Sequence, residues 1–380
     1  MERMIRSNGR IRVTHQGTLP RSDDLRTLVR ARGSGEAFDE GALAQRLTAS
    51  VAEVVRRQVE IGVDSINDGE QSKTSFSDYV TTRLGGLAPT PEVYYSPITG
   101  RDRLDFPDYH QRHRLGGTRH VYQCVGPLTY TGQSLVQTDI ANLRAAMQGL
   151  QVEQAYLPAV APGSIEHWLR NSYYPSEEAF LYAIADAMHE EYRAIVDAGL
   201  VLQIDDPDLA DGWQVDPDLD LAEYRRRATL RTEVLNHALR GLPEDRVVMH
   251  MCWGSGKGPH TNDLPLAKFV DIVLSVHAGA YSIEAANPRH EWEWEIWQDV
   301  KLPDGKILIP GVVAHCTDHV EHPRLIAQRL VRYAKLVGRE NVMGGSDCGL
   351  GTRVGDPLIC WAKLQSAVEG ARLASEELWR

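Results

Sequence analysis

Four metal-ligating side chains each stand at the end of an apolar run. His250 and Cys252 lie in VVMHMCWG, Glu284 in YSIEAANP, and Cys348 in NVMGGSDCGLGTR. Two thiolates, an imidazole and a carboxylate make an ordinary donor set for tetrahedral zinc. His250 and Cys252 are two residues apart, so on a strand both side chains leave the same face. A buried histidine beside a buried cysteine gives the same pattern without a metal, and for this pair alone both readings stay open. Glu284 closes another apolar run, where a carboxylate is costly unless paired or coordinating; an ion pair with Arg289 is the plainer alternative. Cys348 sits between glycines in GGSDCGLGT, a loop whose backbone can approach a neighbour closely. Cys360 in PLICWAKL and Cys124 read as packing residues, and Cys316 beside His315 is ambiguous.

Two thiolates and a carboxylate bring three negative charges against the two positive charges of zinc. Such a centre polarises water or a carbonyl poorly, and hydrolytic sites lean instead on neutral histidines. It can instead take an incoming thiol, remove its proton and leave the sulfur nucleophilic. The donor set therefore points to alkylation of a thiol. Two further acidic pairs close apolar runs, Asp68-Gly69-Glu70 and Asp205-Asp206-Pro207. Glu70 and Asp205 would favour a cationic group such as an amine, whereas Asp206 and Asp208 serve equally as caps. Residues 14–18, THQGT, end the first run and can offer backbone amides to a carboxylate. Arg289 can clamp an anionic tail or pair with Glu284. Residues 287–291 with Trp292, Trp294 and Trp297 wall a pocket or form an aromatic helix packed on the outside.

These residues must be positioned by alternating strands and helices. Candidate strands are Ile11 to Thr14, Asp64 to Asn67, His120 to Val125, Ala155 to Val160, Leu200 to Ile204, Arg246 to His250, Ala280 to Glu284, Ile307 to Val313 and Asn341 to Gly344. Helical spacing fills Phe38 to Ile61, where Leu43, Leu47, Val51, Val54, Val55 and Val59 recur mostly at three and four residues. Gly62 then marks a stop. Glu177 to Ala198, Leu221 to Leu239 and Pro323 to Val337 read the same way. Repeated strand–helix units predict an α/β chain folded as one (β/α)8 TIM barrel over residues 1–380. Nine candidate strands are one too many. Residues 88–117, rich in Pro, Tyr, Arg and Asp without a period, predict an inserted hairpin or lobe over one end.

A formal charge of -11 excludes nucleic acid and anionic membrane as partners. No apolar stretch approaches the roughly 20 residues of a bilayer span. The start, MERMIRSNGRIRV, has no apolar core of a signal peptide. Five unpaired cysteines do not describe a disulfide framework and suit a cytoplasmic protein whose thiols are free for metal. The expected partners are a small-molecule thiol and an alkyl or methyl donor, and a homo-oligomer is an open expectation.

HMC, SIEAANP and SDCGLGTR resemble the zinc motifs of cobalamin-independent methionine synthase, in its C-terminal catalytic barrel. THQGTLPR, NDGEQSK and QIDDPDLADG resemble that family's first-strand, second-strand and Asp-Glu-Pro segments, so the likeness runs over most of the chain. It implies zinc on His250, Cys252, Glu284 and Cys348, and recognition of an amino-acid thiol by Thr18, Glu70 and Asp205. CWG, GPHTND, EAANPRHEWEW, LPDGKILIPGV and VEHP are similar to the single-barrel branch that includes epoxyalkane:coenzyme M transferase. Two departures stand out. The chain has no room for the synthase's second barrel. The family also carries a Gly-Val-Tyr-Asp-x-His pattern, whose histidine protonates the folate leaving group; here residues 311–316 read GVVAHC. His315 is one place early and on a strand would point elsewhere. Ring opening of an epoxide needs only a proton donor, for which His315, His319, His260 or a tyrosine can serve.

The leading expectation is thus a zinc-dependent thiol S-alkyltransferase, methylating a homocysteine-type thiol. The alternative within the class is epoxide opening by a small thiol. A metal-free decarboxylase on the related uroporphyrinogen decarboxylase barrel and a barrel with purely structural zinc are readings of other classes.

Overall fold

The computed structural model describes residues 4–94, 100–113, 119–351 and 353–380. Its strands are β1 (Arg12–Val13), β2 (Ser65–Ile66), β3 (Leu84–Tyr94), β4 (Arg119–Tyr130), β5 (Gln154–Val160), β6 (Leu169–Asn171), β7 (Val201–Asp205), β8 (Val247–Met251), β9 (Ala280–Ile283), β10 (Ile307–Val313) and β11 (Met343–Ser346). Eight of them form one parallel sheet in the order β1-β11-β10-β9-β8-β7-β5-β2. The ends of that sheet meet where the Asp64 amide donates to the Val13 carbonyl at 2.9 Å and the Thr14 hydroxyl donates to the Ser65 carbonyl at 3.1 Å. The fold is a (β/α)8 barrel, and strands β7 to β10 are buried at every position, as parallel strands wrapped by helices must be.

The helices follow from spacing and caps. Glu40–Ile61 buries Leu43, Leu47, Val51, Val54 and Val55; Asp39 caps it by accepting from the Ala42 amide, and Gly62 ends it at φ 96°. Glu177–Asp197 starts at Ser176, Leu221–Ala238 at Asp220, and Pro323–Val337 at His322, each side chain accepting from a first-turn amide.

The surplus strand is His120 to Val125. It lies within β4, in a separate three-stranded sheet of order β3-β4-β6, with β3 and β4 antiparallel. There Cys124 is buried while its neighbour Val125 is 48% exposed, the alternation of a sheet with one wet face. In the segment 88–117, residues 88–94 belong to β3, and helices Gly100–Asp105 and Pro107–Arg112 follow; residues 95–99 and 114–117 lie outside the described residues. The first of these helices docks on the loop after β8: the Asp102 carboxylate accepts from the Thr261 hydroxyl and the Asn262 amide, each at 2.9 Å.

Candidate metal centre and substrate pocket

Strand β8 ends at Met251 with His250 and Cys252 both buried. Cys348 follows β11 across the same mouth. Its loop is drawn in by glycine: a Cβ on Gly351 would stand 2.3 Å from the Leu19 backbone, and one on Gly349 3.0 Å from the Thr18 amide nitrogen. Any larger residue would push this loop off the β1 loop, taking Cys348 with it. One ligand atom from each of His250, Cys252 and Cys348 lies within 4.8 Å of the other two.

The chemistry of the trio fits a metal ion. His250 Nε2 is buried without a hydrogen-bond partner, while Nδ1 faces the Ser282 hydroxyl at 3.3 Å, which fixes the ring. Hydrogen bonding from Cys252 and the nearness of His250 hold the Cys348 thiol well below its ordinary range, against burial. The Cys252 thiol is pushed well above it by that same pairing and by burial.

Glu284 stands in an adjoining group rather than with the trio. Its carboxylate, the His315 imidazole and the Asp347 carboxylate are all buried and offer ligand atoms within 4.8 Å of one another. Glu284 is held by the Trp253 amide at 2.8 Å and the Asn287 side chain at 2.9 Å. His315 therefore sits beside the centre, contrary to the orientation expected from strand parity. β10 ends at Val313, so parity no longer governs two residues later.

A cavity of about 650 Å³ opens over the trio and is also lined by Thr18, Glu70 and Asp205. The Thr18 hydroxyl donates to Glu70, whose other oxygen faces the Lys73 ammonium at 3.4 Å. Burial pushes the Asp205 carboxyl up to about 7 despite the neighbouring His250. The floor thus gathers carboxylates that an ammonium group would neutralise.

Three expected residues fall elsewhere. Arg289 is exposed, outside the cavity lining, with its guanidinium on the Thr261 carbonyl at 2.7 Å. His319 is exposed and paired with Thr317 at 2.9 Å. His260 belongs to a cluster with Asp263 and His290, in which Asp263 Oδ2 meets His260 at 2.6 Å and His290 at 3.0 Å. Burial works against both imidazolium forms, but the carboxylate outweighs it and both histidines rise to about 9. The tryptophans also miss the pocket wall. Trp292 is 52% exposed, Trp297 is in the core, and Trp294 stacks under Arg332 at 4.7 Å.

The sequence reading missed Arg21, Lys73, Asp211 and Ser255, all of which line the cavity. Lys73 carried a signal, being three residues from Glu70. So did Asp211, three residues from Asp208 on the helix Asp208–Val215.

A (β/α)8 barrel with imidazole and thiol donors gathered at the C-terminal ends of its strands, where barrel enzymes keep their sites, defines the class of protein. Within that class, residues 124–373 match the catalytic domain of cobalamin-independent synthase, and the chain belongs to that family. It is 23% identical over 368 residues to the methionine synthase of Saccharolobus islandicus, covering 96% of this chain and 95% of that protein. It is also 23% identical over 367 residues to the methionine synthase of Sulfurisphaera tokodaii, covering 95% and 92%. A B12-independent methionine synthase from Shewanella sp. W3-18-1, solved in complex with selenomethionine, shares the fold with a TM-score of 0.76 at 18% identity. That likeness covers 97% of this chain and 99% of that one. Among the described residues no helix is long and apolar enough to cross a membrane.

Proposed function

We propose that this chain is a zinc-dependent methyltransferase that transfers a methyl group to a homocysteine-type thiol, acting as one catalytic barrel with an inserted hairpin. The observation that carries this is the convergence of His250, Cys252 and Cys348 in one cavity with Glu70 and Asp205. The methionine synthases it resembles over nearly its whole length support it. His250, Cys252 and Cys348 would hold the zinc, with Glu284 from the adjoining group as the fourth donor. Bound there, zinc supplies the acidity that keeps a thiol ionised and nucleophilic at neutral pH.

The chain's own side chains set the orientation. Glu70 is fixed by Thr18 and Lys73, and with Asp205 it holds the substrate amine at the floor of the cavity. The thiol end is then left facing the sulfur and imidazole donors. The buried walls exclude water from the reacting sulfur and strengthen each charge contact. Orienting the nucleophile in this way removes part of the barrier to a two-substrate transfer.

A second reading, opening of an epoxide by a small thiol, is favoured by one observation. Cys316, not histidine, stands where the family pattern has its proton donor, and burial pushes that thiol up to about 11.

Metal analysis and thiol alkylation on Cys348→Ser and Cys252→Ser test the proposal. Both variants should lose zinc and alkylation of homocysteine together. A Cys348→Ser protein with full metal content and full turnover would refute the assignment. Wild-type protein without stoichiometric zinc would favour the metal-free decarboxylase.

A further inference from the structure

A second group of metal donors lies outside the substrate cavity, in and beyond the loop after β8. His260 Nδ1, Asp263 Oδ2 and His290 Nε2 lie within 4.8 Å of one another, and the two nitrogens stand 2.6 Å and 3.0 Å from the carboxylate oxygen. None of the three residues lines the cavity over the sulfurs. Asp263 and His290 are 2% exposed and His260 is 12% exposed, so the His260 edge is open to an entering ion. Each donor is held by its other atom, as the ligands of a metal are. His260 Nε2 donates to the Gly256 carbonyl at 3.1 Å, His290 Nδ1 faces Glu293 at 3.4 Å, and Asp263 Oδ1 accepts from Gln214 at 2.7 Å. The His290 ring is further pinned on Trp253, with 3.7 Å between centroids and 11° between planes. His260 has φ 55°, in the left-handed region that non-glycine residues seldom occupy, and strain of that kind gathers at ligand clamps. An ion about 2.0–2.1 Å from each donor sets tetrahedral donors about 3.3 Å apart, so these three need to spread by less than about 1 Å.

We propose that His260, Asp263 and His290 form a second divalent-cation site, of zinc type, separate from the cysteine-containing centre. Two imidazoles and one carboxylate suit zinc and the neighbouring transition ions. The site does not depend on the thiol-methylating function proposed above, and its ion is structural. Thr261 and Asn262, between two of the ligands, seat the inserted hairpin through Asp102, while Trp253 under His290 directly follows Cys252. An ion on these donors therefore ties the hairpin's seat to the chain leaving β8. Without the ion the same atoms are joined through protons. Burial lowers both imidazoles, but Asp263 and Glu284 outweigh it, with Glu293 adding its pull on His290, and both rise to about 9. An entering ion displaces one proton from each histidine to solvent, so its affinity should rise about 100-fold per pH unit from about pH 7 towards 9.

Equilibrium dialysis against buffered zinc at about pH 7 and about pH 8.5, read as zinc per chain by atomic emission, tests this. The wild type should go from one zinc per chain to two, and Cys348→Ser from none to one. His260→Asn should hold one zinc at both pH values, since asparagine tolerates the left-handed backbone at that position. Loaded with Co2+, that variant should keep the full thiolate-to-cobalt absorption, which reports a folded chain with its sulfur centre intact. A wild type that takes up no further zinc as the pH rises, or a His260→Asn protein that still takes up two, overturns the site. If the wild type binds one zinc that His260→Asn loses and Cys348→Ser keeps, this site stands and the sulfur-held zinc of the proposed function falls.

Discussion

Arg83 joins the root of the inserted hairpin to the barrel, and its removal has a calculable cost. It lies between the short helix Asp78–Thr82 and β3. Its guanidinium meets Asp139 at 2.5 Å and Glu191 at 3.1 Å, and all three side chains are at most 7% exposed. Glu191 also accepts the Tyr79 hydroxyl at 2.8 Å and the Tyr130 hydroxyl at 2.6 Å. The Tyr79 ring meets two cations, Lys73 at 4.3 Å and Arg83 at 4.8 Å, and Lys73 lines the substrate cavity. Arg83→Met keeps most of the volume but strands two buried carboxylates. Breaking a buried pair by removing one partner costs about 3–5 kcal/mol. The pH dependence follows from Glu191. Burial raises its carboxyl, yet Arg83 and Lys73 outweigh burial and hold it below its ordinary value. In the wild type this contributes stability present above the unfolded carboxylate pKa and lost as pH falls through the lower folded value. In the variant the sign reverses: the stranded carboxylates rise, take up protons as pH falls, and become neutral. Urea melts should show the deficit at its largest near about pH 8 and visibly smaller near about pH 5. A deficit under about 1 kcal/mol, or one that does not shrink in acid, would show that the network is not a balanced charge cluster.

Glu70→Gln should weaken homocysteine binding by about 10- to 100-fold while sparing 4-mercaptobutyrate, which carries no amine; equal effects on both thiols would remove Glu70 from amine recognition. His260 and His290 both rise to about 9 beside Asp263. Their contribution is therefore fully present below the ordinary histidine value of 6.5 and is lost as pH climbs through about 9. Asp263→Asn should cost on the order of 3 kcal/mol at neutral pH, a gap that closes in alkali. Thermal melts across that range decide it, since a gap constant with pH contradicts the charged pairing.

The residue pattern by itself determined most of the frame. Strands buried on both faces must be continuous apolar runs, and eight of the nine runs read from sequence became the barrel. The same logic placed His250, Cys252 and Cys348 together, because parallel strands all deliver their C-terminal ends to one mouth. What sequence left undecided was the ninth run. His120 to Val125 is as apolar as a barrel strand, and only its antiparallel partner β3 takes it out of the barrel. The partners of side chains on loops were equally hidden. Glu70 and Arg21 meet across a separation of 49 residues, whereas Arg289, five residues past Glu284, turns outward. A strand's parity fixes where its side chains point, but past its last hydrogen bond that rule lapses and loop packing decides. Hence His315 stands with Glu284 and Asp347 in the group beside the trio. The fold class and the meeting of His250, Cys252 and Cys348 are thus properties of periodic, buried strands that local sequence encodes. The charges proposed to hold the substrate depend on contacts between distant loops, which exist only once the barrel has closed.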